Sequence, residues 1–426
     1  MKKLFRFLAS AAVSTSPAPS PQERPLASGP LTENLLTAKP SVPELRKLIL
    51  FEARSLAAGL PGAKLFGTKL LASGLLAAGL LAAVLLTVSC GRVSDCDLVL
   101  DDFSEVVQIA PADSVQLETF NIMMPNRVFY YKDWLIIVKS GTDNAVDIIN
   151  PKTKEKIECF RRGRGPNEIL NIGSTQLIGN RLEVFDVSQQ ILYSLDISAT
   201  LQNKQQTVFE KSSMNEGQSK TNTVRPYSVY RYGDASVVAG LFDDGTWYAS
   251  IDRNGNILGS VPVENFKSTE ALSVLERSSM FTSSFFSMRP DNKKGVCSTI
   301  CGGVFSIFDA DSNVIRETDR KIWFEPKVTK SNVERLLSPK HEQDDIRGFC
   351  SACSDMYYIY LLFSGKKLSN SDDPSFQCRH LLVYDWDGNP VRRYELEKTV
   401  CSIHLQGDRL FCASMHPAPR IYIYRL

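Results

Sequence analysis

Residues 248–261 read YASIDRNGNILGSV, and this stretch decides the fold. A short alternating run precedes Asp252, a second run follows Gly255, and the Asn-Gly pair between them is a strong signal for a tight turn between antiparallel strands. The runs are too short for core helices and are rich in residues that favour strands. The stretch therefore predicts a β-hairpin.

The same pattern of strand, Asp or Asn, turn and strand recurs along the chain. Its further copies are residues 146–160 (VDIINPKTKEKIECF), 192–202 (LYSLDISATLQ), 305–317 (FSIFDADSNVIRE) and 382–396 (LVYDWDGNPVRRYEL), and the chain ends on IYIYRL without a hairpin partner. Equivalent points at Ile148, Leu195, Ile251, Phe308, Tyr384 and Tyr424 are separated by 47, 56, 57, 76 and 40 residues. A repeat of about 55 residues is long enough for four strands and their turns, the blade of a β-propeller.

Six repeats predict six blades, and the ring has to close because an open blade edge would pair with other chains. The last repeat stops at its third strand, so we expect the missing outer strand to come from residues 114–120 (SVQLETF), which alternate suitably. A pair of β-sandwiches is the alternative, but a sandwich has turn signals every 8–12 residues over about 100 residues. The sequence predicts an all-β, six-bladed β-propeller over residues 113–426, closed by an N-terminal strand. The one helical cue is SNVE at 331–334, a capping-box pattern before a short helix.

Residues 70–89 read LLASGLLAAGLLAAVLLTVS, twenty residues without a charge, and follow Lys64 and Lys69. Such a run can cross a bilayer as a helix, and the flanking residues suit a secretory signal. The stretch also resembles a bacterial lipoprotein signal, in which the Cys after the apolar core receives a diacylglyceryl group and becomes the first residue. Here that residue is Cys90, although Thr87 stands where Leu is usual. We predict a signal helix over 64–89 and lipidation at Cys90, with a plain signal anchor as the alternative.

The regions around this signal complete the predicted organisation. Residues 1–63 form a leader that is either unstructured or precedes the true start, and residues 90–112 form a tether. The predicted location is the cell envelope, with the membrane reached through the lipid on Cys90 and the periplasmic or surface orientation left open. Over 426 residues the formal net charge is only +2, so no basic footprint for nucleic acid is present.

Three segments carry a resemblance to a known family: RGRGPNEI (162–169), GLFDDGTWYASIDRNGNILGSVP (240–262) and MRPDNKKGV (288–296). From about residue 113 to its end, the chain resembles the six-bladed, TolB-like propeller lipoproteins common in Bacteroides and related gut bacteria. The family is usually described without an established activity. The resemblance therefore implies the fold and an exported location rather than a reaction.

The RGRGPNE segment is the best candidate for a ligand site in the sequence. Its glycines allow unusual backbone angles, and Arg162, Arg164, Asn167 and Glu168 offer charges and hydrogen bonds. It is expected to link the outer strand of one blade to the inner strand of the next. The alternative is a clamp between blades, in which Glu168 pairs with an Arg or caps a backbone group.

No spacing of chemically active residues predicts catalysis. The ten Cys and four His contain no HExxH or Gly-x-Ser-x-Gly pattern, and Cys297/Cys301 and Cys350/Cys353 lack zinc-ribbon spacing. Buried structural cysteines are favoured, and no catalytic residue, metal or cofactor is predicted. We expect a propeller that binds a glycan, a peptide or an envelope protein without turnover. The alternative is a lactonase- or lyase-like enzyme with a divalent metal in the central channel, its ligands drawn singly from several blades.

Overall fold

The computed structural model describes residues 95–165, 167–214, 225–264, 266–331, 338–369 and 374–426. The predicted leader, the signal helix and Cys90 lie outside these residues, and so does most of the predicted capping box at 331–334. Among the helices of the described ranges, none combines the length and the apolar character needed to cross a bilayer.

Twenty-four of the strands form six blades of four antiparallel strands each, which are numbered along the chain. Blade 1 consists of β3 (Pro125–Tyr131), β4 (Trp134–Lys139), β5 (Asn144–Ile149) and β6 (Lys156–Arg161). Blade 2 consists of β7 (Ile172–Ile178), β8 (Arg181–Asp186), β9 (Ile191–Asp196) and β10 (Glu210–Ser213). Blade 3 consists of β11 (Arg225–Tyr232), β12 (Ala235–Leu241), β13 (Thr246–Ile251) and β14 (Ile257–Pro262). Blade 4 consists of β15 (Phe285–Met288), β16 (Lys294–Ser298), β17 (Gly303–Asp309) and β18 (Arg316–Phe324). Blade 5 consists of β21 (Phe349–Ser354), β22 (Tyr358–Phe363), β23 (Cys378–Asp385) and β24 (Pro390–Val400). Blade 6 consists of β25 (Ser402–Gln406), β26 (Arg409–Ser414), β27 (Arg420–Arg425) and β2 (Asp113–Gln116). The prediction of an all-β, six-bladed propeller is confirmed.

The elements outside the blades are short. They are the strands β1 (Val106–Ile109), β19 (Val328–Thr329) and β20 (Lys340–His341), the helices α1 (Asp95–Leu100), α2 (Ile197–Asn203) and α3 (Val274–Met280), and 3-10 turns at Glu118–Phe120, Lys267–Thr269 and Asp311–Asn313. Helix α3 begins with a capping box, since the Ser273 hydroxyl accepts the Glu276 N–H and the Glu276 carboxylate accepts the Ser273 N–H. The Ser-x-x-Glu pattern of residues 273–276 is therefore a second helical cue in the sequence, beside the one at 331–334.

The repeat corresponds to one position in every blade. Each of the six equivalent points, from Ile148 to Tyr424, lies in the third strand of its blade. Third strands are packed between neighbouring blades, and β13 is buried along its whole length. Tyr248 in β13, for example, bonds through its hydroxyl to Ser306 of the next blade at 2.7 Å. The apolar repeat is thus the pattern of strands that are covered on both faces.

The ring closes as predicted, by an N-terminal strand. Strand β2 pairs antiparallel with β27 as the outer strand of blade 6, with Val115 opposite Ile421. The pairing is shorter than the predicted 114–120, because residues Glu118–Phe120 turn into a 3-10 helix that buries Phe120. The two ends of the propeller therefore share one sheet, and β2 covers the edge that β27 would otherwise leave open.

Residues within the predicted tether fold onto the propeller. Strand β1 adds to blade 5 as a fifth strand, parallel to β24. Helix α1 buries Val99 in the core between blades 4 and 5, and the Trp323 indole donates to Asp102 at 2.6 Å. From Asp95 onward, the segment 90–112 is therefore part of the folded body rather than a spacer.

The turns that carry the repeat have the expected chemistry. One Asp252 oxygen accepts the backbone N–H groups of Asn254 and Asn256, each at 2.8 Å, and the other accepts the Asn256 amide. Asp385 makes the same set of bonds with Asp387 and Asn389. A glycine with φ near 80° sits at the same place in both turns, so each is a hairpin turn rather than a metal loop.

The innermost strands run parallel around a central channel and are joined by side chains. Ser174 in β7 bonds to both backbone groups of Val229 in β11, and Gln176 does the same with Arg231 two residues further on. Because all inner strands run in one direction, the connections from outer to inner strands lie on one face of the propeller. The turns after the inner strands lie on the opposite face.

Candidate functional site

A cavity lies in the central channel. It has a volume of about 640 Å³ and is lined by residues of all six inner strands. It includes the turn residues Gly179, Gly233 and Asn292, so it reaches the face opposite the outer-to-inner connections. Every blade contributes to this cavity, and the closed ring is what brings its lining together.

One cation of the cavity lining, Arg127, lies against an aromatic ring. It lies in β3, and its guanidinium is 4.7 Å from the centre of the Phe285 ring of blade 4. The other arginines of the lining have polar partners, such as Asp291 for Arg289 and Glu210 for Arg181. Within the described residues, Arg127 has no carboxylate partner. A cation held against an aromatic ring in a cavity can receive an acidic group from a ligand.

Burial shifts the pKa of two titratable residues of the lining. Burial raises the pKa of Glu183, against the opposing charge of Arg231. Burial lowers the pKa of His404 to about 4. In the described part of the chain, the Oε2 atom of Glu183 and the Nε2 atom of His404 have no hydrogen-bond partner. These two atoms are thus buried polar atoms without a partner in the wall of the cavity.

The cavity bears on the alternative of a metal-dependent enzyme. Among the described lining residues, Glu183 is the one carboxylate and His404 the one imidazole. No group of three metal-binding side chains is found in this lining when the described residues are searched. The described lining of the channel thus offers fewer metal ligands than the enzyme alternative requires.

The structure places Arg162 and Glu168 inside the connection between blades 1 and 2. The Arg162 guanidinium donates to the Lys139 carbonyl at 2.8 Å and to the Leu170 carbonyl at 3.3 Å. Burial lowers the pKa of Arg162, and the charge of Asp186 acts in the opposite direction. One Glu168 oxygen accepts the Gly165 N–H at 2.8 Å, and the other lies 3.6 Å from Arg161. These contacts are those of the clamp alternative.

Arg164 and Asn167 face outward from the same connection. Both are exposed, and Asn167 accepts a hydrogen bond from Lys211 at 3.1 Å. Gly163 is required here, because a Cβ at this position would collide with the Glu168 carboxylate. A depression of about 450 Å³ beside the segment is lined in part by Asn167 and Glu168. Ligand binding by Arg162, Arg164, Asn167 and Glu168 stays a prediction, and the structure divides them into two anchoring and two outward residues.

The connection between blades 4 and 5 brings together Cys301, His341 and Asp345. Cys301 lies between β16 and β17, His341 ends β20, and Asp345 precedes β21. The Cys301 sulfur, a His341 ring nitrogen and an Asp345 oxygen all lie within 4.8 Å of one another. His341 and Asp345 belong to an outer-to-inner connection, as the RGRGPNE segment does, and the turn of Cys301 between the second and third strands of blade 4 lies on the same face.

Within this cluster, the Asp345 side chain is held in place by hydrogen bonds. Its side chain is fully buried, and one oxygen accepts the N–H groups of Lys327 at 3.0 Å and Ile346 at 2.8 Å. The other oxygen lies 2.6 Å from His341 Nδ1. Burial alone would lower the pKa of His341, but the bonds and charges of Asp345 and Cys301 raise it to about 10.

Sequence reasoning missed this cluster because its members are 40 and 4 residues apart and no motif joins them. Seven of the nine described cysteines are buried free thiols, as expected, whereas Cys96 and Cys301 are half-buried. The unequal repeat length was the available signal, because the 76-residue step contains a polar insert, residues 327–345, which carries His341 and Asp345.

The chain was compared with known proteins. A family model described as TolB-like 6-blade propeller-like matches residues 102–408. No curated protein matches the chain.

Three solved structures are similar to the chain at low identity and low TM-score. A Bacteroides fragilis protein designated a candidate exported protein is 10% identical, with 75% of this chain and 99% of that chain covered and a TM-score of 0.46. A DUF4221 family member from Bacteroides vulgatus is 9% identical, with 74% and 97% covered and a TM-score of 0.45. The calcium-binding protein regucalcin from Agrobacterium tumefaciens is 11% identical, with 76% and 97% covered and a TM-score of 0.41.

Proposed function

The chain belongs to the TolB-like six-blade propeller family, and from this premise we propose that it is a non-catalytic binding protein of the cell envelope. Its channel cavity takes a ligand that carries an acidic group, such as an acidic glycan or a peptide carboxylate. The observation that carries this proposal is Arg127, a cation without a carboxylate partner among the described residues, held over Phe285 in the cavity of about 640 Å³.

The lining supports a polar ligand of moderate size. Aromatic residues such as Phe129 and Phe285 provide contact area, and exposed polar residues of the lining such as Asn292 and Gln406 provide hydrogen-bonding groups. A few polar groups in a partly apolar cavity are what ligand sites generally use for orientation. An acidic group on Arg127 would form a charge-assisted hydrogen bond, which contributes about 1.5–3 kcal/mol.

The test is calorimetric titration of the purified full chain with oligosaccharides and peptides in acidic and matched neutral forms. We expect binding of an acidic form, weakened about tenfold or more by Arg127→Met, because a lost charged hydrogen bond costs at least about 1.4 kcal/mol. Arg409→Met is the matched control, since Arg409 also lies over aromatic rings but outside the cavity lining. Equal binding of neutral forms, or turnover of any compound, would contradict the proposal.

The second part of the proposal is a lipid anchor on Cys90. Its support is that Cys90 directly follows the uncharged apolar run of residues 70–89. Mass spectrometry of the mature N-terminus is expected to find a diacylglyceryl group on Cys90 as residue one, and Cys90→Ser is expected to release the protein from the membrane fraction. An unmodified or differently placed N-terminus would exclude the anchor.

A further inference from the structure

We propose that Cys301, His341 and Asp345 form a zinc site on the connection between blades 4 and 5, with a fourth position open to water or a ligand. The site lies outside the channel cavity and does not depend on the ligand proposed there. Cys301 is half-buried and the His341 side chain is 33% exposed, so an ion can reach the donors from solvent.

The three donor atoms are close enough to one another to bind a single ion. A sulfur, a ring nitrogen and a carboxylate oxygen lie within 4.8 Å of one another, a spacing that small movements convert into bonds of about 2.0–2.3 Å to a common ion. Three protein ligands and one open position are the usual arrangement of a zinc ion that interacts with a further molecule.

The same distances disfavour a catalytic relay through the imidazole. In such a relay the nucleophile and the acid bond to opposite ring nitrogens, which places them on the order of 6–7 Å apart. The Cys301 sulfur and the Asp345 oxygen are within 4.8 Å of each other, which is too close for atoms bonded to opposite nitrogens of the imidazole ring. This geometry fits a shared ion better than a transferred proton.

The donor set selects the metal. A thiolate and an imidazole are ligands that zinc prefers, whereas calcium and magnesium are bound through oxygen alone. A site with one sulfur, one nitrogen and one oxygen therefore discriminates against the abundant hard cations.

The surroundings hold the donors in place, as outer hydrogen bonds do at metal sites. The second Asp345 oxygen is bonded to two backbone N–H groups. The loop of Cys301 is tied to the strand after Asp345, because Gly302 donates to the Ile346 carbonyl at 3.2 Å and Gly348 donates to the Ile300 carbonyl at 2.7 Å. Two chain segments that are far apart in sequence are thus fixed against each other at the site.

The experiment is metal titration of the purified full chain after treatment with a chelator. Cobalt is expected to bind at one equivalent with the near-ultraviolet charge-transfer band of a thiolate ligand, and zinc is expected to displace it. Cys301→Ser is expected to abolish the band and to weaken zinc binding by more than about 100-fold, since even outer-sphere changes cost 10–100-fold. His341→Gln should weaken zinc binding similarly. Cys96→Ser, which removes the other half-buried thiol, should leave both properties unchanged.

Three results would overturn the proposal: no binding of cobalt at one equivalent, a band that persists in Cys301→Ser, or a band that is lost in Cys96→Ser. Alkylation gives an independent readout that does not depend on variants. Zinc is expected to protect Cys301 from iodoacetamide, whereas rapid alkylation that zinc does not slow would indicate a free nucleophile and exclude the site.

Discussion

The hairpin turns of blades 3 and 5 and the connection between blades 4 and 5 use the same chemistry over very different spans of sequence. In the turns, Asp252 and Asp385 accept backbone N–H groups from residues two and four positions later. In the connection, Asp345 accepts the N–H of Lys327, 18 residues earlier, and contacts His341. The first arrangement is local and repeated, and the second is formed once by tertiary contacts.

The blades are therefore built from local, repeated bonds, whereas the cluster depends on contacts between distant segments. A turn that is completed within five residues can be repeated in any blade without regard to its neighbours. The cluster of Cys301, His341 and Asp345 exists only where two blades and an insert meet. Substitutions in the repeats should therefore affect the whole ring, whereas substitutions in the insert should act locally.

The largest effect is expected for Phe308→Ala, which tests the repeat side of the comparison. Phe308 is fully buried in β17 and packs against Tyr248 of the preceding blade. We expect the free energy of unfolding to fall by about 3–5 kcal/mol, because removal of a buried ring leaves a cavity, measured by denaturant unfolding. Ile322→Ala in the same blade is the control, since Ile322 is exposed and should cost well under 1 kcal/mol. Equal effects of the two would show that the repeat does not form the core.

A smaller and local effect is expected for Asp345→Ala. The substitution leaves the N–H groups of Lys327 and Ile346 without their acceptor, which costs on the order of 2 kcal/mol for buried groups. Hydrogen exchange should rise in residues 325–348 and stay unchanged in blades 1 to 3. Asp344→Ala is the neighbouring control, because Asp344 is exposed and forms only a surface pair with Lys327. Faster exchange throughout the ring would break the distinction between insert and repeat.

The smallest effects are expected for Asp252→Ala and Asp385→Ala, at about 1 kcal/mol each. The two turns are in different blades, so their effects should add; a double variant that differs from the sum by more than about 0.5 kcal/mol would indicate coupling. Asp387→Ala, which changes an exposed side chain of the same turn as Asp385, should be nearly neutral.

The pH dependence of these turns has a defined sign. Hydrogen bonds from Asn256 lower the pKa of Asp252, and the bonds of Asn389 outweigh burial and lower that of Asp385. Because the folded-state pKa is below the ordinary value of 3.8, their contribution is complete above pH 3.8 and is lost as the pH falls through the folded pKa. The difference between wild type and each Ala variant should therefore shrink in acid, as urea unfolding at several pH values would show.

Several features of the fold could be read from the sequence because they depend on neighbouring residues. The equivalent points of the repeat all fall in third strands, and the closing strand was placed correctly from the unfinished last repeat. Strand β1 was missed, because four residues that add in parallel to a finished blade carry no pattern of their own. The helix α3 was missed although its capping box was present.

The candidate sites were accessible to different degrees. The RGRGPNE segment was found because its composition is unusual, yet the division of its residues into anchoring and outward side chains required coordinates. Arg127 has no distinguishing neighbour in the sequence, and its importance comes from a ring 158 residues away.

By itself, the sequence determined the number of blades, the strand that closes the ring and the chemistry of the hairpin turns. Strand periodicity and turn bonds act over a few residues, and a pattern repeated six times leaves little choice of architecture. Only the tertiary structure decided which side chains line the channel and that Cys301 meets His341 and Asp345. Those contacts depend on the relative placement of different blades and of the insert between them, which packing of the whole ring sets and no local pattern records.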